Sequence, residues 1–268
     1  MKFKIDHDLH IHSKISSCSD NPLQTNERIL QYAKDNNFKT ICLTDHFWDS
    51  KVEGASPWYV PQNYEHIEKA LPLPQGDGIR FLFGCETELS KDLTLAIDKT
   101  TFEKFDFVII PTTHLHMLGL TIESEIRSPN VRAKIWANRL RAVFNMDLPF
   151  HKIGIAHLTC PLITPKAQGF TDEDYINTLN LISKEELFEL FTKAAKLGVG
   201  IELNFDDVIF NKTAENAVFR IYKIAKECGC KFYLGSDAHH PERLEKVIPY
   251  FQKAIDVLEL TEDDKFII

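Results

Sequence analysis

The chain has 268 residues, of which 44% are hydrophobic and 26% are charged, and its formal net charge at pH 7 is -8. This balance is typical of a globular protein that buries a large core, and we expect a single domain over residues 1–268. The 31 lysines and arginines form no long basic run, which argues against binding of duplex nucleic acid, and no apolar stretch reaches transmembrane length.

The N-terminal segment MKFKIDHDLHIH places acids and histidines before any apolar run that is long enough for a signal peptide. We therefore expect a cytoplasmic protein with no membrane partner. The six cysteines are scattered through the chain, so we expect reduced thiols and not the dense disulfide framework of a small secreted domain.

Short apolar runs rich in β-forming residues alternate with helical patterns along the chain, which is typical of parallel βα units. The seven predicted strands are residues 5–12, 40–45, 79–86, 107–114, 152–157, 199–204 and 231–237. The predicted helices are residues 22–36, 62–70, 130–145, 184–196, 214–228 and 241–257. Irregular stretches follow strands at residues 47–61, 115–129 and 159–175, where the loops of a parallel barrel would build an active site.

Local signals mark several helix boundaries. Asn21 and Pro22 indicate the start of the first helix, and Ser183 with Glu186 forms a capping box at the start of another. Gly198 follows the same helix and is typical of a helix end.

The residues at the carboxyl ends of the predicted strands share one property, because they are metal-ligand types. They are His10, His12, Asp45, His46, Glu86, His114, His157, Glu202, Asp237 and His239. Successive strand side chains alternate between faces, so His10 and His12 point to the same side, and Asp237 and His239 repeat that spacing. A single histidine such as His157 is often a hydrogen-bonded core residue, but this many polar groups would be costly to bury without cations.

Imidazole and carboxylate ligands together favour transition metals over magnesium and calcium. We therefore expect two or three divalent metal ions, with zinc or manganese as the first choice and iron as an alternative. Such a site would attract anionic substrates, because the metal ions outweigh the local carboxylates in charge.

These residues lie in segments that resemble the PHP (polymerase and histidinol phosphatase) domain family. The segments are DLHIHSKISSCSD at 8–20, TDH at 44–46, GCETE at 84–88, FVIIPTTH at 107–114, IAHL at 155–158 and GSDAHH at 235–240. They occur in the family's order and span nearly the whole chain. The resemblance implies a distorted (β/α)7 barrel, a TIM-like α/β fold, with up to three metal ions at its carboxyl-end mouth.

The resemblance also implies how the ligands divide among the metal ions. The first site would hold His10, His12, Glu86 and Asp237, the second Glu86, His114 and His157, and the third His46 and His239. A hydroxide that bridges the metal ions, held by Glu86, His12 and Asp237, would then attack phosphorus.

The chain departs from the family pattern at one position. Members of the histidinol phosphatase type commonly carry a further histidine six residues after the first His-x-His, where this chain has Cys18, with Asp20 close behind. Either Cys18 or Asp20 would complete the third site. For the ligand after the fourth strand both His114 and His116 fit, and His114 is favoured because it ends the apolar run.

Candidate substrate contacts lie in the loops that follow the strands. The candidates are the cations Lys14, Arg127, Arg132 and Arg243 and the aromatic residues Trp48, Trp58 and Tyr59. The aromatic residues would cover an organic group, although packing of their own loop explains them equally well, as solvation explains the cations. We expect Glu202 to orient a ligand histidine and not to act in catalysis.

In length and motif order the chain is most similar to the stand-alone phosphoesterases of the family. This implies hydrolysis of a small phosphate monoester, with L-histidinol phosphate from histidine biosynthesis as one candidate. A nuclease or nucleotide phosphodiesterase is an alternative, although the sequence shows no basic or aromatic track for a nucleic-acid strand. A non-catalytic metal-binding barrel is the second alternative, because a fold alone does not fix an activity.

Overall fold

The computed structural model of the protein describes residues 1–76, 78–205 and 207–268, and for residues 207 and 208 it describes the backbone alone. Its seven strands are β1 (His7–Ile11), β2 (Thr40–Leu43), β3 (Arg80–Glu86), β4 (Phe107–Pro111), β5 (Ile153–Ala156), β6 (Gly200–Leu203) and β7 (Lys231–Leu234). All neighbouring pairs are parallel, and the strands pair in chain order from β1 to β7.

The helices surround this sheet. They are α1 (Asn26–Asp35), α2 (Tyr64–Ile67), α3 (Pro129–Asn145), α4 (Asp172–Asn180), α5 (Lys184–Leu197), α6 (Lys212–Glu227), α7 (Pro241–Leu244) and α8 (Ile248–Leu258). Between β3 and β4 the described chain forms a 3₁₀ turn at Phe102–Lys104. Among the helices that the structure describes, none has both the length and the apolar character needed to span a membrane.

The sheet closes because the chain after β7 returns to β1. Ile11 and Ala238 form a parallel bridge, and the amide of Asp237 donates to the carbonyl of His10 at 2.8 Å. Nearer the start of β1, side chains of this strand accept hydrogen bonds from backbone amides of β7 and the segment after it. Nε2 of His7 accepts from the amide of Leu234 at 3.0 Å. In the same way Oδ1 of Asp8 accepts from the amide of Ser236 at 2.9 Å. The predicted distorted (β/α)7 barrel is confirmed.

The interior of the barrel is filled by a small apolar cluster, separate from the larger core between strands and helices. Phe107 and Tyr233 contact edge to face inside it, with ring centroids 5.2 Å apart. Gly154 on β5 faces these two rings. A Cβ at this position would lie 2.4 Å from the Tyr233 hydroxyl and 2.6 Å from the Phe107 ring, so the interior has no room for a methyl group.

Three helix predictions differ from the structure. The first helix begins at Asn26 and not at Pro22, because the Thr25 hydroxyl accepts from the amide of Arg28 and caps it there. The predicted helix 241–257 is divided into α7 and α8, since Pro249 has no amide hydrogen to donate to the preceding turn and is tolerated in the first turn of a helix, where it lies in α8. The helix α4 starts within the stretch 159–175 that was predicted to be irregular, behind a capping box of Thr171 and Asp174.

We expect Gly154→Ala to destabilise the protein by about 1–3 kcal/mol, because the added methyl group overpacks the barrel interior. The measurement is the free energy of unfolding in a chemical denaturant. Gly76→Ala is the matched control, since a Cβ there meets chiefly the flexible end of Lys34, at 3.1 Å. Equal unfolding midpoints for the two variants would contradict the packing described for the barrel.

Candidate metal centre

The mouth of the barrel brings together nine of the ten predicted metal ligands. They form three overlapping groups: His10, His12, Glu86 and Asp237; Glu86, His114 and His157; and His12, Cys18, His46 and His239. Within each group the candidate ligand atoms lie within 4.8 Å of one another. The convergence follows from topology, because the carboxyl ends of all strands of a parallel barrel meet at one face.

Glu86 joins the groups, because it ends β3 with a carboxylate that is 1% exposed. Its two oxygens face different imidazoles. Around Oε2 lie nitrogens of His46 at 3.0 Å, His12 at 3.3 Å and His10 at 3.5 Å, and around Oε1 lie nitrogens of His157 at 3.3 Å and His114 at 3.9 Å. A carboxylate in this position can bridge two cations, one on each oxygen.

Glu202 on β6 contacts one histidine of each of the first two groups, on the side away from the candidate metal positions. Its Oε1 lies 2.6 Å from Nδ1 of His10, and its Oε2 accepts from the backbone amide of His157 at 2.5 Å. The ring of His10 therefore directs Nε2 toward Glu86 and Asp237, as expected for a residue that orients a histidine. Gly235 makes space for this carboxylate, since a Cβ there would lie 1.9 Å from Oε1 of Glu202.

Glu88 has the same relation to His114, and the sequence analysis did not identify it. The carboxylate is fully buried, and its Oε2 lies 2.8 Å from Nδ1 of His114 and accepts from the Tyr59 hydroxyl at 3.1 Å. Arg139 lies 3.6 Å from the other oxygen. The available signal was the spacing, because Glu86 and Glu88 are two residues apart in the segment GCETE and so point to the same side.

Cys18 and Asp20, the two candidates for the third group, lie in different surroundings. Cys18 is partly buried, its thiol lies 3.3 Å from the Ser16 hydroxyl, and it lines a cavity with His46 and His239. The side chain of Asp20 is 92% exposed and approaches His240 at 3.6 Å. The structure therefore groups the thiol, and not the carboxylate, with the histidines.

Two residues of the cluster have backbone conformations that non-glycine residues rarely adopt. The φ angles are +28° at His157, which directly follows β5, and +52° at Asp237, which lies three residues after β7. Such conformations are costly and persist where the surrounding structure enforces them, which is common at functional sites.

Electrostatics in the cluster is dominated by the close approach of imidazoles and carboxylates. Burial alone disfavours the imidazolium of His10, but the carboxylates of Glu202, Asp237 and Glu86 hold its pKa well above the usual range. Burial likewise disfavours the carboxylate of Glu86, yet His46 and His10 hold its pKa well below the usual value. The carboxylates thus create a field that favours cations at this position.

One buried atom shows that the residues fit a metal ion. Nδ1 of His46 lies 3.0 Å from Glu86 but has no hydrogen-bond partner among the described residues. An unpaired buried nitrogen costs free energy unless it gains a partner, and a divalent cation between the imidazole and the carboxylate would satisfy both. Imidazole, carboxylate and thiol ligands are those that zinc binds in proteins.

Two of the predicted substrate contacts are buried and form hydrogen bonds within the protein. Arg132 is fully buried, and its guanidinium donates to the carbonyls of Ile126, Leu115 and Ile163 and to the side chain of Gln168. Trp48 is 2% exposed and donates its indole N–H to the carbonyl of Val52 within its own loop. The structure does not place either side chain at the mouth.

The other candidates are at the surface or near the cluster. Lys14 is exposed, and Arg127 is exposed and pairs with Glu125. Trp58 is 39% exposed, with its ring 5.2 Å from that of His46. Arg243 lines a cavity beside the cluster and donates to the carbonyl of Phe205 at 2.9 Å.

Two cavities flank the cluster and share Asp237 and His239. The larger is about 320 Å³ and is lined by polar side chains such as Thr159, Asn204 and Arg243. The smaller is about 200 Å³ and is lined by Trp58, Tyr59, Met117, Leu162 and the second candidate histidine, His116, among others. A small molecule in either cavity would contact the cluster directly.

Comparison with known proteins gives a family and a similar fold. A family model described as the PHP domain matches residues 8–261. The crystal structure of histidinol phosphate phosphatase from Lactococcus lactis subsp. lactis, complexed with zinc, L-histidinol and phosphate, has a similar fold, with a TM-score of 0.51 and 17% sequence identity. The match covers 93% of this chain and 93% of that chain. No curated protein sequence matches this chain significantly.

We expect Glu202→Gln to lower metal affinity by about 10–100-fold, because an amide cannot accept from both the ring of His10 and the amide of His157. The measurement is competition for zinc with a chromophoric chelator. Glu245→Gln is the matched control, since its side chain is 63% exposed. An unchanged affinity in Glu202→Gln would show that the buried carboxylate does not orient a ligand.

Proposed function

The chain belongs to the PHP domain family, and we propose that it is a metal-dependent phosphoesterase that hydrolyses small phosphate monoesters. Three overlapping ligand groups around one bridging carboxylate carry this proposal. The three groups would hold two or three divalent ions, which in phosphoester hydrolysis would activate the attacking water and stabilise the leaving oxygen. Zinc or manganese suits the ligand types, and iron is the alternative.

We assign His10, His12, Glu86 and Asp237 to the first ion and Glu86, His114 and His157 to the second. His46, His239 and Cys18 would hold the third. When bound, the ions supply an activated water and neutralise the charge of the phosphoryl oxygens.

The chain's own residues keep these ligands in position. Glu202 and Glu88 fix the rings of His10 and His114, and burial of the imidazoles excludes competing water from the ligand atoms. Trp58 and Tyr59 form one wall beside the cluster, where they can contact the organic part of a substrate. Arg243 lines the other cavity and is our candidate for a polar substrate contact.

L-Histidinol phosphate is our first candidate substrate. The motif order of the chain supports it, and so does the size of the larger cavity, because about 320 Å³ accommodates a small organic alcohol next to the cluster. This substrate would place the protein in histidine biosynthesis.

The first experiment is elemental analysis of protein purified without a histidine tag, combined with hydrolysis of an aryl phosphate in added zinc or manganese. We expect two to three equivalents of metal and turnover. His12→Ala and Asp237→Ala should each lose metal and at least about 100-fold in activity, because each removes a direct ligand.

The matched controls are His151→Ala and Asp92→Ala, which change exposed residues that belong to none of the three groups. Both should retain metal and activity, and circular dichroism should show that all four variants fold. Full activity in His12→Ala would refute the site, and a metal-free, inactive wild-type protein after reconstitution would favour a non-catalytic barrel.

Among substrates, we expect a higher kcat/KM for L-histidinol phosphate than for an aryl phosphate, since an alcohol that fills the larger cavity adds binding energy in the transition state. A bis-aryl phosphodiester should be the poorest of the three. The measurement is initial rates at equal metal loading. Preference for the diester would instead support the phosphodiesterase alternative.

A further inference from the structure

The third ligand group differs from the other two, because it contains a thiol and no carboxylate. We propose that Cys18 completes a mixed sulfur and nitrogen site that selects thiophilic divalent ions such as zinc over manganese. The metal positions of this protein are then chemically unequal. The inference rests on the proposed function in so far as the two neighbouring groups hold metal ions.

The loop after β1 holds the thiol beside the histidines. The Ser16 hydroxyl lies 3.3 Å from Sγ of Cys18 and 3.4 Å from Nδ1 of His12. The Ser19 hydroxyl donates to the carbonyl of His239 at 2.7 Å, which ties the loop to the segment after β7. The amide of Ser17 donates to the side chain of Gln62 at 3.0 Å. The thiol is therefore positioned on both sides by hydrogen bonds of its neighbours.

The histidines of the group provide an independent observation. His46 is 8% exposed, and its Nδ1 has no hydrogen-bond partner among the described residues. The rings of His12 and His239 stack with centroids 4.2 Å apart and planes inclined by 15°. Three imidazoles thus pack around the thiol. Nδ1 of His46 lies 3.0 Å from Glu86 but makes no hydrogen bond to the described residues, which is an arrangement that a cation would stabilise.

The donor atoms determine which cation the third group prefers. His12 also belongs to the first group, so when both groups are filled the third keeps Cys18, His46 and His239. Imidazole nitrogen and thiolate sulfur are both zinc ligands, and catalytic zinc keeps three protein ligands with an open position, whereas manganese prefers carboxylate and water oxygens. Asp20 would have supplied such an oxygen, but its side chain is 92% exposed.

Binding requires loss of the thiol proton. On binding, the S–H bond breaks, the sulfur–metal bond forms and the proton passes to solvent. A bound dication deprotonates a coordinating thiol outright, so the proton does not prevent binding.

The experiment uses cadmium as a thiophilic probe, because a cadmium–thiolate bond gives a sulfur-to-metal charge-transfer band in the ultraviolet. We expect the band to appear in the wild-type protein, with an amplitude that corresponds to one cadmium–thiolate bond per chain. It should be absent in Cys18→Ser. Cys228→Ser is the matched control, since Cys228 is also partly buried but lies at the end of α6, and it should keep the band.

A comparison of bound zinc with bound manganese tests whether the third group prefers one ion over the other. The wild-type protein should hold about one equivalent more zinc than manganese, and Cys18→Ser should lose that excess. Cys18→Asp supplies a carboxylate oxygen in place of the sulfur and should take up the extra manganese. Equal zinc and manganese content in the wild type, or a band that persists in Cys18→Ser, would overturn the proposal.

The outcome also distinguishes this inference from the proposed function. Two bound metal ions with phosphatase activity, but no sulfur band, would remove the thiolate site and leave the phosphoesterase intact. A protein that binds no metal under any condition would refute both.

Discussion

Glu86 is almost completely buried, and imidazole nitrogens approach both of its carboxylate oxygens. An ionised carboxylate in such a position is costly unless cations or hydrogen-bond donors surround it. The barrel meets this requirement by ending several strands with histidines that point inward. Glu86 links the three ligand groups, because each group either contains Glu86 or contains histidines that contact it.

Two further buried glutamates also pair with imidazoles, on the outer side of the ligand histidines. Glu202 fixes His10 from β6, and Glu88 fixes His114 from the segment after β3. Through the Tyr59 hydroxyl, Glu88 also links the aromatic wall of the smaller cavity to a ligand ring. The site is therefore rigid where the ligands lie, and its walls are built on the same hydrogen-bond network.

Much of this could be predicted from the sequence, because strand order and side-chain alternation are local properties. Once seven parallel strands were recognised, the residues at their ends had to converge. The spacing of Glu88 from Glu86 indicated its role beside His114, but its contact with Tyr59 could not be predicted, since Tyr59 lies in a distant loop. Arg132 and Trp48 show the same limit: a cation or an aromatic residue after a strand can face the substrate or hold its own loop, and only packing decides. The boundaries of α1 and the division of α8 from α7 depended on a single cap and a single proline.

At the joint between β1 and β7, His7 and Asp8 accept amide hydrogens with their side chains. His10 and His12 lie on one side of this joint, and Asp237 and His239 lie on the other. A metal ion bound by residues from both sides would link the first and last strands and so hold the barrel closed. Removing the ions would then open the ring first at this joint, where amide hydrogens would exchange with solvent before those of the inner strands. The same metal–ligand bonds would then form the reaction centre and close the barrel.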